Sequence, residues 1–411
     1  MNGFIIYHIV IKVNQSMSEG KKVALVTCYF QPDYGSMLQA LATQEALNLM
    51  HIPNETIRID GLQSEIRSAK IRYFCSRLLS VDVIRDKIGY VRLAIKKKMN
   101  RNIEHNLSVR RQCFSNYAKR RFTVSRLYHS KKELEANAGT YSAFLVGSDQ
   151  LWLPSNIAAD YYTLNFVPDS VRKIAYATSF GISSLPPKQA DIAKQFIPRF
   201  EYLSVREKSG QDLVKDLTGL DAKLVCDPTL LLTQAEWTKL IPEKRIIKEK
   251  YIFCYFLGNN PLSRQCARYL KKRTGYKIVA LQHLDEYFKE DESFADKAPY
   301  RIDPDDFVNL IRYAEFVCTD SFHGTVFSII NQKSFFSFRR FVQKTTMSTN
   351  SRLDSLLNVL DIEKRLIQSP SEFKTAVSAD IDYAEVNHRL DDFRKGSKAF
   401  LEESLEGLHD I

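Results

Sequence analysis

The chain has 411 residues, 44% of them hydrophobic, enough to bury two cores of ordinary size and long for one. Its formal net charge is +11, but residues 61–132 hold 19 Lys or Arg against 4 Asp or Glu, a local +15 that leaves the remainder at −4. Seven cysteines, at 28, 75, 113, 226, 254, 266 and 318, form no CxxC pair and no Cys/His ligand spacing, which argues against a zinc module and for a reduced, cytoplasmic protein.

The N-terminal run FIIYHIVI (4–11) has no basic residue before it, no small-residue cleavage site after it, and is too short to span a bilayer. Residues 1–20 read as a leader or an extra edge strand, with Met17 an alternative start. A first Rossmann-like domain is expected over 21–240. VALVT (23–27) reads as a strand and 37–50 as a helix with Leu38, Leu41, Ala42 and Leu49 as its buried stripe, capped by Asp33 or Ser36. Gly35 between them either lets backbone approach a ligand or permits a tight turn. TIRID (56–60) is a second strand of a β-α-β unit.

Segment 61–132 reads as a basic helical insertion. Ile71, Phe74, Cys75 and Leu78 fall at i, i+3, i+4 and i+7, and Lys96, Lys97 and Lys98 close a second helical pattern where cations favour the dipole. Its charge reads as a solvated outer face or as a peripheral membrane contact with anionic lipid head groups at the inner face of the membrane. No recognised nucleic-acid motif accompanies it, so nucleic acid is not an expected partner.

YSAFLV (141–146) then breaks into Gly147, Ser148, Asp149 and Gln150, with Trp152 behind. Polar side chains and an indole at a strand end suit recognition, or else form an Asx-type turn. KIAYATSFG (173–181) is a fourth strand. YLSVRE (202–207) places Arg206 at its tip, as a fork for carboxylate or phosphate or as half of a surface salt bridge to Glu207 or Asp212. A sixth strand, 223–227, ends at Pro228. The polar stretch 233–250 suits an interdomain connection, and a second Rossmann-like domain over 241–368 has strands at 251–257, 277–281, 316–319 and 334–338, the last ending at Arg339 and Arg340. A helix over 351–360 and a helical tail over 369–411 complete the chain.

The segment EFVCTDSFHGT (315–325) concentrates the chemistry. An apolar strand breaks into Asp320, Ser321, His323 and Gly324, and helix-compatible spacing then resumes. Ligands in open α/β sheets bind beyond the carboxyl ends of strands, where a following helix start offers free N–H groups. Alone, His323 could be a catalyst or a packing residue; five other strand-like runs that end the same way favour the former.

In order, DYGSMLQ (33–39), FLVGSDQLW (144–152), IAYATSFG (174–181), SVRE (204–207), CDPTLL (226–231) and TDSFHG (319–324) resemble the polysaccharide pyruvyl transferase family, over roughly 23–360. The resemblance implies an α/β protein with two Rossmann-like domains facing across a cleft in a GT-B-like arrangement. It implies transfer of pyruvyl from phosphoenolpyruvate to a sugar of a surface polysaccharide, such as a capsule or exopolysaccharide, or of its lipid-linked precursor, as a ketal. No cofactor and no metal is implied. By position, Arg206 matches the residue that holds the donor's negative groups and His323 the cleft histidine. Many members carry an Arg two residues before that histidine, where this chain has Ser321, which turns attention to Arg339, Arg340 or Lys344 for further positive charge. The expected catalytic residues are therefore His323 and Asp149. Donor contacts are expected from Arg206, Ser321, Gly324, Arg339 and Arg340, and acceptor contacts from Gly35, Ser148, Gln150 and Trp152. The alternatives are a GT-B glycosyltransferase using a nucleotide sugar, for which no GxGxxG turn follows a strand, and a non-catalytic scaffold in polysaccharide assembly.

Overall fold

The computed structural model describes residues 21–76, 101–283, 287–340 and 351–408. Two parallel sheets organise them. The first contains β1 (Val23–Val26), β2 (Asn54–Thr56), β3 (Ala143–Val146), β4 (Arg172–Thr178), β5 (Tyr202–Val205) and β6 (Lys223–Leu224), in the order β2-β1-β3-β4-β5-β6. The second contains β7 (Tyr251–Tyr255), β8 (Lys277–Leu281), β9 (Phe316–Thr319), β10 (Ser334–Phe338) and β11 (Leu366–Ile367), in the order β11-β10-β9-β7-β8. β1, β3 and β7 are buried at every position, as strands covered by helices on both faces must be. In each sheet the strand order reverses beside the first strand, between β1 and β3 and between β7 and β9, which are the topological switch points where such sheets bind ligands. The architecture is α/β and GT-B-like, with the C-terminal strand ends of the two sheets turned toward one another.

The helix Tyr34–Leu49 sits at the junction. An amphipathic stripe was the expectation, yet thirteen of its sixteen residues are buried, because the second unit covers the face that a lone domain would leave to water. Tyr34 stacks on Phe307 with centroids 4.7 Å apart, and its hydroxyl donates to the Ile302 carbonyl at 3.2 Å. Asp33 is the cap, accepting from Ser36 N at 2.8 Å. One apolar core runs from the first sheet into the second, and a smaller one covers the far face of the second sheet.

Several elements differ from expectation for tertiary reasons. β2 lies ahead of 56–60: Thr56 bonds outward to Thr123 and Ser125 while Ile57 N still donates to the Leu25 carbonyl of β1 at 2.9 Å. β6 is only two residues long, since Cys226 N turns to Ser397 Oγ at 2.8 Å. That serine belongs to the helix Tyr383–Leu405, which returns to the first unit: Arg394 Nε donates to the Leu230 carbonyl at 2.7 Å and Arg172 Nη1 to that of Glu406 at 2.8 Å.

The basic segment contributes the helices Gln63–Cys75 and Arg101–Arg121, while Leu78 and Lys96 to Lys98 lie outside the described residues. A solvated or lipid-facing surface accounts for only part of it. Arg110 is 1% exposed and donates to the carbonyls of Gln282, Pro299 and Tyr300, and Arg120 and Arg121 pair with Asp303 and Asp305, so three of its cations bind the second unit. Among the described residues no helix is long and apolar enough to cross a membrane.

Candidate active site between the two sheets

Beyond β3 the backbone turns sharply. Gly147 has φ 141°, and a Cβ there would lie 1.9 Å from the Tyr176 carbonyl oxygen, so only glycine fits. Asp149 follows with φ 74°, a left-handed conformation that aspartate tolerates better than most residues. Its carboxylate accepts from Ser36 Oγ at 2.6 Å and from Arg206 Nη2 at 3.1 Å.

Arg206 stands at the tip of β5, as expected, but it is buried and its salt bridges are internal. Its other arm donates to Asp227 Oδ2 at 2.5 Å, with Ser148 Oγ donating to the same oxygen at 2.9 Å. Asp227 Oδ1 accepts from Thr229 N at 3.0 Å and Thr229 Oγ1 at 2.7 Å, which caps the short helix Pro228–Leu231. Across the junction, His323 Nε2 lies 3.7 Å from Asp227 Oδ2. The imidazole reaches this point over Gly35, where a Cβ would be 1.9 Å from His323 Nδ1.

Charge is distributed unevenly. Burial would raise both carboxyls, but Arg206, His323 and Arg352 hold Asp149 well below the carboxylate range, and His323 and Arg206 do the same for Asp227. Glu207 goes the other way: burial raises it, and Arg206 and Arg352 offset only part of that. Arg352, buried and near Arg206, is lowered to about 9. Six buried polar atoms of this neighbourhood have no hydrogen-bond partner among the described residues: Gln150 Nε2, Arg206 Nε, Glu207 Oε2, His323 Nε2, Arg340 Nε and Arg352 Nε. Buried polar groups are ordinarily satisfied, so such a concentration calls for partners from outside the chain, water or ligand. The side chains meet closely: a cavity of about 10 Å³ lies beside Arg206, Asp227 and Phe322, room for about one water.

The structure thus gathers Gly35, Ser148, Asp149, Arg206 and His323, and Arg340 lies nearby without an ion pair among the described residues. Other expected residues serve the fold. Trp152 is 0% exposed, donates to the Tyr162 carbonyl at 3.1 Å and packs among Phe180, Phe196 and Phe200, so it is a core residue rather than a recognition surface. Ser148 is equally buried and holds Asp227 instead of facing an acceptor. Gln150 lies under Gly181, where a Cβ would meet its Nε2 at 2.2 Å. Ser321 caps the helix Phe322–Ile330 by accepting from Gly324 N at 3.3 Å, and Gly324 permits close packing on Thr319. Arg339 is held in a two-armed pair with Asp354 at 3.0 and 2.7 Å, which leaves it no fork for a donor. Lys344 lies outside the described residues.

Sequence reasoning passed over Ser36, Glu207, Asp227 and Arg352 as site residues. Asp227 had a signal, since it stands in the CDPTLL motif at a strand end; Arg352, in a plain helical stretch, had none. Among the described residues no group of three His, Cys, Asp or Glu side chains is placed to hold a metal.

The family model described as polysaccharide pyruvyl transferase matches residues 33–340, a span that contains Ser36, Asp149, Arg206, Asp227 and His323. The chain belongs to the polysaccharide pyruvyl transferase family. No curated protein sequence matches it. Among solved structures it is similar to the UDP-GlcNAc 2-epimerase of Methanocaldococcus jannaschii in complex with UDP-GlcNAc and UDP, at 10% identity and TM-score 0.47 over 94% of this chain and 99% of that one. It is also similar to the UDP-GlcNAc 2-epimerase of Neisseria meningitidis, at 10% identity and TM-score 0.45 over 93% and 99%. A third is the glycosyltransferase SsfS6 of Streptomyces sp. SF2575 complexed with thymidine diphosphate, at 10% identity and TM-score 0.41 over 93% and 98%.

Proposed function

We propose that this transferase-family protein moves pyruvyl from phosphoenolpyruvate onto two hydroxyls of a sugar, in a surface polysaccharide or its lipid-linked precursor, as a ketal. The observation that carries this reading is His323, 3.7 Å from a buried, ionised Asp227 at the junction of two switch points. Ketal formation needs a proton delivered to the donor's methylene carbon and stabilisation of the cationic carbon that results. His323 supplies the proton. Asp227 orients and stabilises the imidazolium from which it comes, and Arg206 with Ser148 fixes Asp227. Two C–O bonds form at the former enol carbon and its bond to the phosphate oxygen breaks. Of the two hydroxyl protons released, one balances that gained by the methyl group and the other leaves with phosphate. Asp149 is too acidic, beside Arg206, to be an effective base. Its role is to orient a sugar hydroxyl and to stabilise positive charge at the reacting carbon.

Native-state binding must stabilise the fold, by about 2.7 kcal/mol at a hundredfold excess over Kd. Millimolar phosphoenolpyruvate is therefore expected to raise the melting temperature, and phosphate release is expected to require a glycan acceptor and to be lost in His323→Gln. Stabilisation by a nucleoside diphosphate but not by phosphoenolpyruvate would instead favour the nucleotide-sugar glycosyltransferase.

A further inference from the structure

We infer that Arg352 and Arg340 form the seat for the donor's anionic groups, while Arg206 positions the carboxylates that serve His323. The anion's identity as an enol phosphate bearing a carboxylate rests on the proposed function; the seat itself rests on charge and packing.

Two guanidinium groups converge beside Phe322. The central carbons of Arg206 and Arg352 lie 4.9 and 5.7 Å from the centre of its ring, and Arg340 is close enough to Arg352 to repel its charge. Both arms of Arg206 are taken up by Asp149 and Asp227. Arg352 is different. It is 6% exposed, its nearest carboxylate oxygen is 3.9 Å away on Asp149, and among the described residues it makes no hydrogen bond.

The other buried arginines give the comparison. Arg110 donates to three backbone carbonyls, Arg365 to those of Ala376 and Ala379, and Arg394 to that of Leu230 and to Asp391. Arg264 makes two bonds to Asp291 although its Nη1 has no partner among the described residues, so each of these is anchored by the fold through at least two hydrogen bonds. A buried cation left without such partners is unfavourable, and two more cations beside it make it worse, so the arrangement suits an anion that arrives from outside. Arg340 completes the seat. It has no ion pair among the described residues, its Nε is unpartnered, and its stem is held against Gly258, where a Cβ would meet its Cγ at 2.6 Å. Two guanidinium forks match phosphate and carboxylate oxygens, and even at about 9 Arg352 stays protonated at neutral pH. Arg352 also lies beyond residue 340, where the family match ends.

The test is calorimetric titration of the full chain and of Arg352→Gln, Arg352→Lys and Arg340→Gln with phosphoenolpyruvate and, separately, inorganic phosphate, alongside steady-state kinetics. Loss of a charge-assisted contact predicts about 10- to 100-fold weaker phosphoenolpyruvate binding in Arg352→Gln, with an intermediate value for Arg352→Lys, which keeps the charge but not the fork. KM for the donor should rise while KM for the acceptor holds. The ligand-free Arg352→Gln protein should melt no lower than the parent, because an uncompensated buried charge has been removed. Donor affinity equal to the parent's in Arg352→Gln overturns the inference even if ketal formation proceeds; should that variant fail to fold, equal affinity in both Arg340→Gln and Arg352→Lys does so. Phosphate binding that depends on Arg352 in a protein that forms no ketal upholds the seat and rejects the donor.

Discussion

Asp227 and Glu207 flank the same arginine and are displaced in opposite directions. Burial acts on both, but Asp227 is bonded by Arg206, Ser148 and Thr229 with His323 beside it, whereas Glu207 is held by weaker contacts, Phe180 N donating to its Oε1 at 3.1 Å and Arg206 Nε lying 4.0 Å from its Oε2. The sign of the pH dependence follows. A carboxyl held below its unfolded value of about 3.9 contributes stability that is fully present above that value and is lost as pH falls toward the folded one. Glu207, raised, contributes stability present below its unfolded value and lost as pH rises through the folded one. Asp227→Asn leaves Arg206 short of a partner and is expected to cost about 3–5 kcal/mol at pH 7. Urea unfolding at pH 7 and pH 3 checks it: the loss should be markedly smaller at pH 3, and an equal loss at both would contradict the charged state assigned to Asp227. Activity should fall in parallel, since His323 loses the carboxylate 3.7 Å from its Nε2.

Two helices meet at the site, Tyr34–Leu49 from one unit and Phe322–Ile330 from the other. Gly35 was expected to favour a ligand or a turn. In fact it sits within the first turn of its helix and makes room for His323, so its importance comes from the partner helix. Gly35→Ala should therefore displace the imidazole while leaving the helix intact. A displacement of about 1 Å at a reacting group costs about 100-fold in rate, so kcat should drop by that order with far-ultraviolet circular dichroism unchanged. Ser321→Ala offers the contrast: loss of the cap should cost about 1 kcal/mol of stability, seen in denaturant unfolding, with a smaller kinetic effect.

The relation between the two units depends on a few long side chains. Arg110 closes three carbonyls of the second unit, and Arg120 and Arg121 add ion pairs to Asp303 and Asp305. Arg110→Ala leaves those carbonyls without their donor, at about 1–3 kcal/mol for each buried group not reached by water. Hydrogen exchange is expected to accelerate around residues 299–303 while β1 and β3 stay protected. Uniform exchange across both sheets would instead mean that Arg110 supports global stability alone.

Local pattern made much of this fold readable. Apolar runs such as VALV and YIFCY marked strands because they are buried on both faces, and Asp33 announced a helix start because a side-chain oxygen must satisfy a free N–H there. The ordered motifs located His323, Asp149 and Arg206 at strand ends, where backbone direction alone brings side chains to one edge of a sheet. Partnership was not local. Arg206 meets carboxylates 57 and 21 residues away, and the face of the Tyr34–Leu49 helix that a single domain would leave wet is covered by a second one. Trp152 read as a recognition residue and proved to be core, because periodicity within a short turn does not report what packs over it. Arg352 had no sequence signal, since an arginine in a polar helix start looks the same whether it faces water or, as here, the buried Arg206. The sequence by itself determined the strands, the caps and the ends at which chemistry gathers; the closure of one sheet on the other decided which charges are paired and which remain free for a ligand, because Coulomb energies depend on distance and burial rather than on order along the chain.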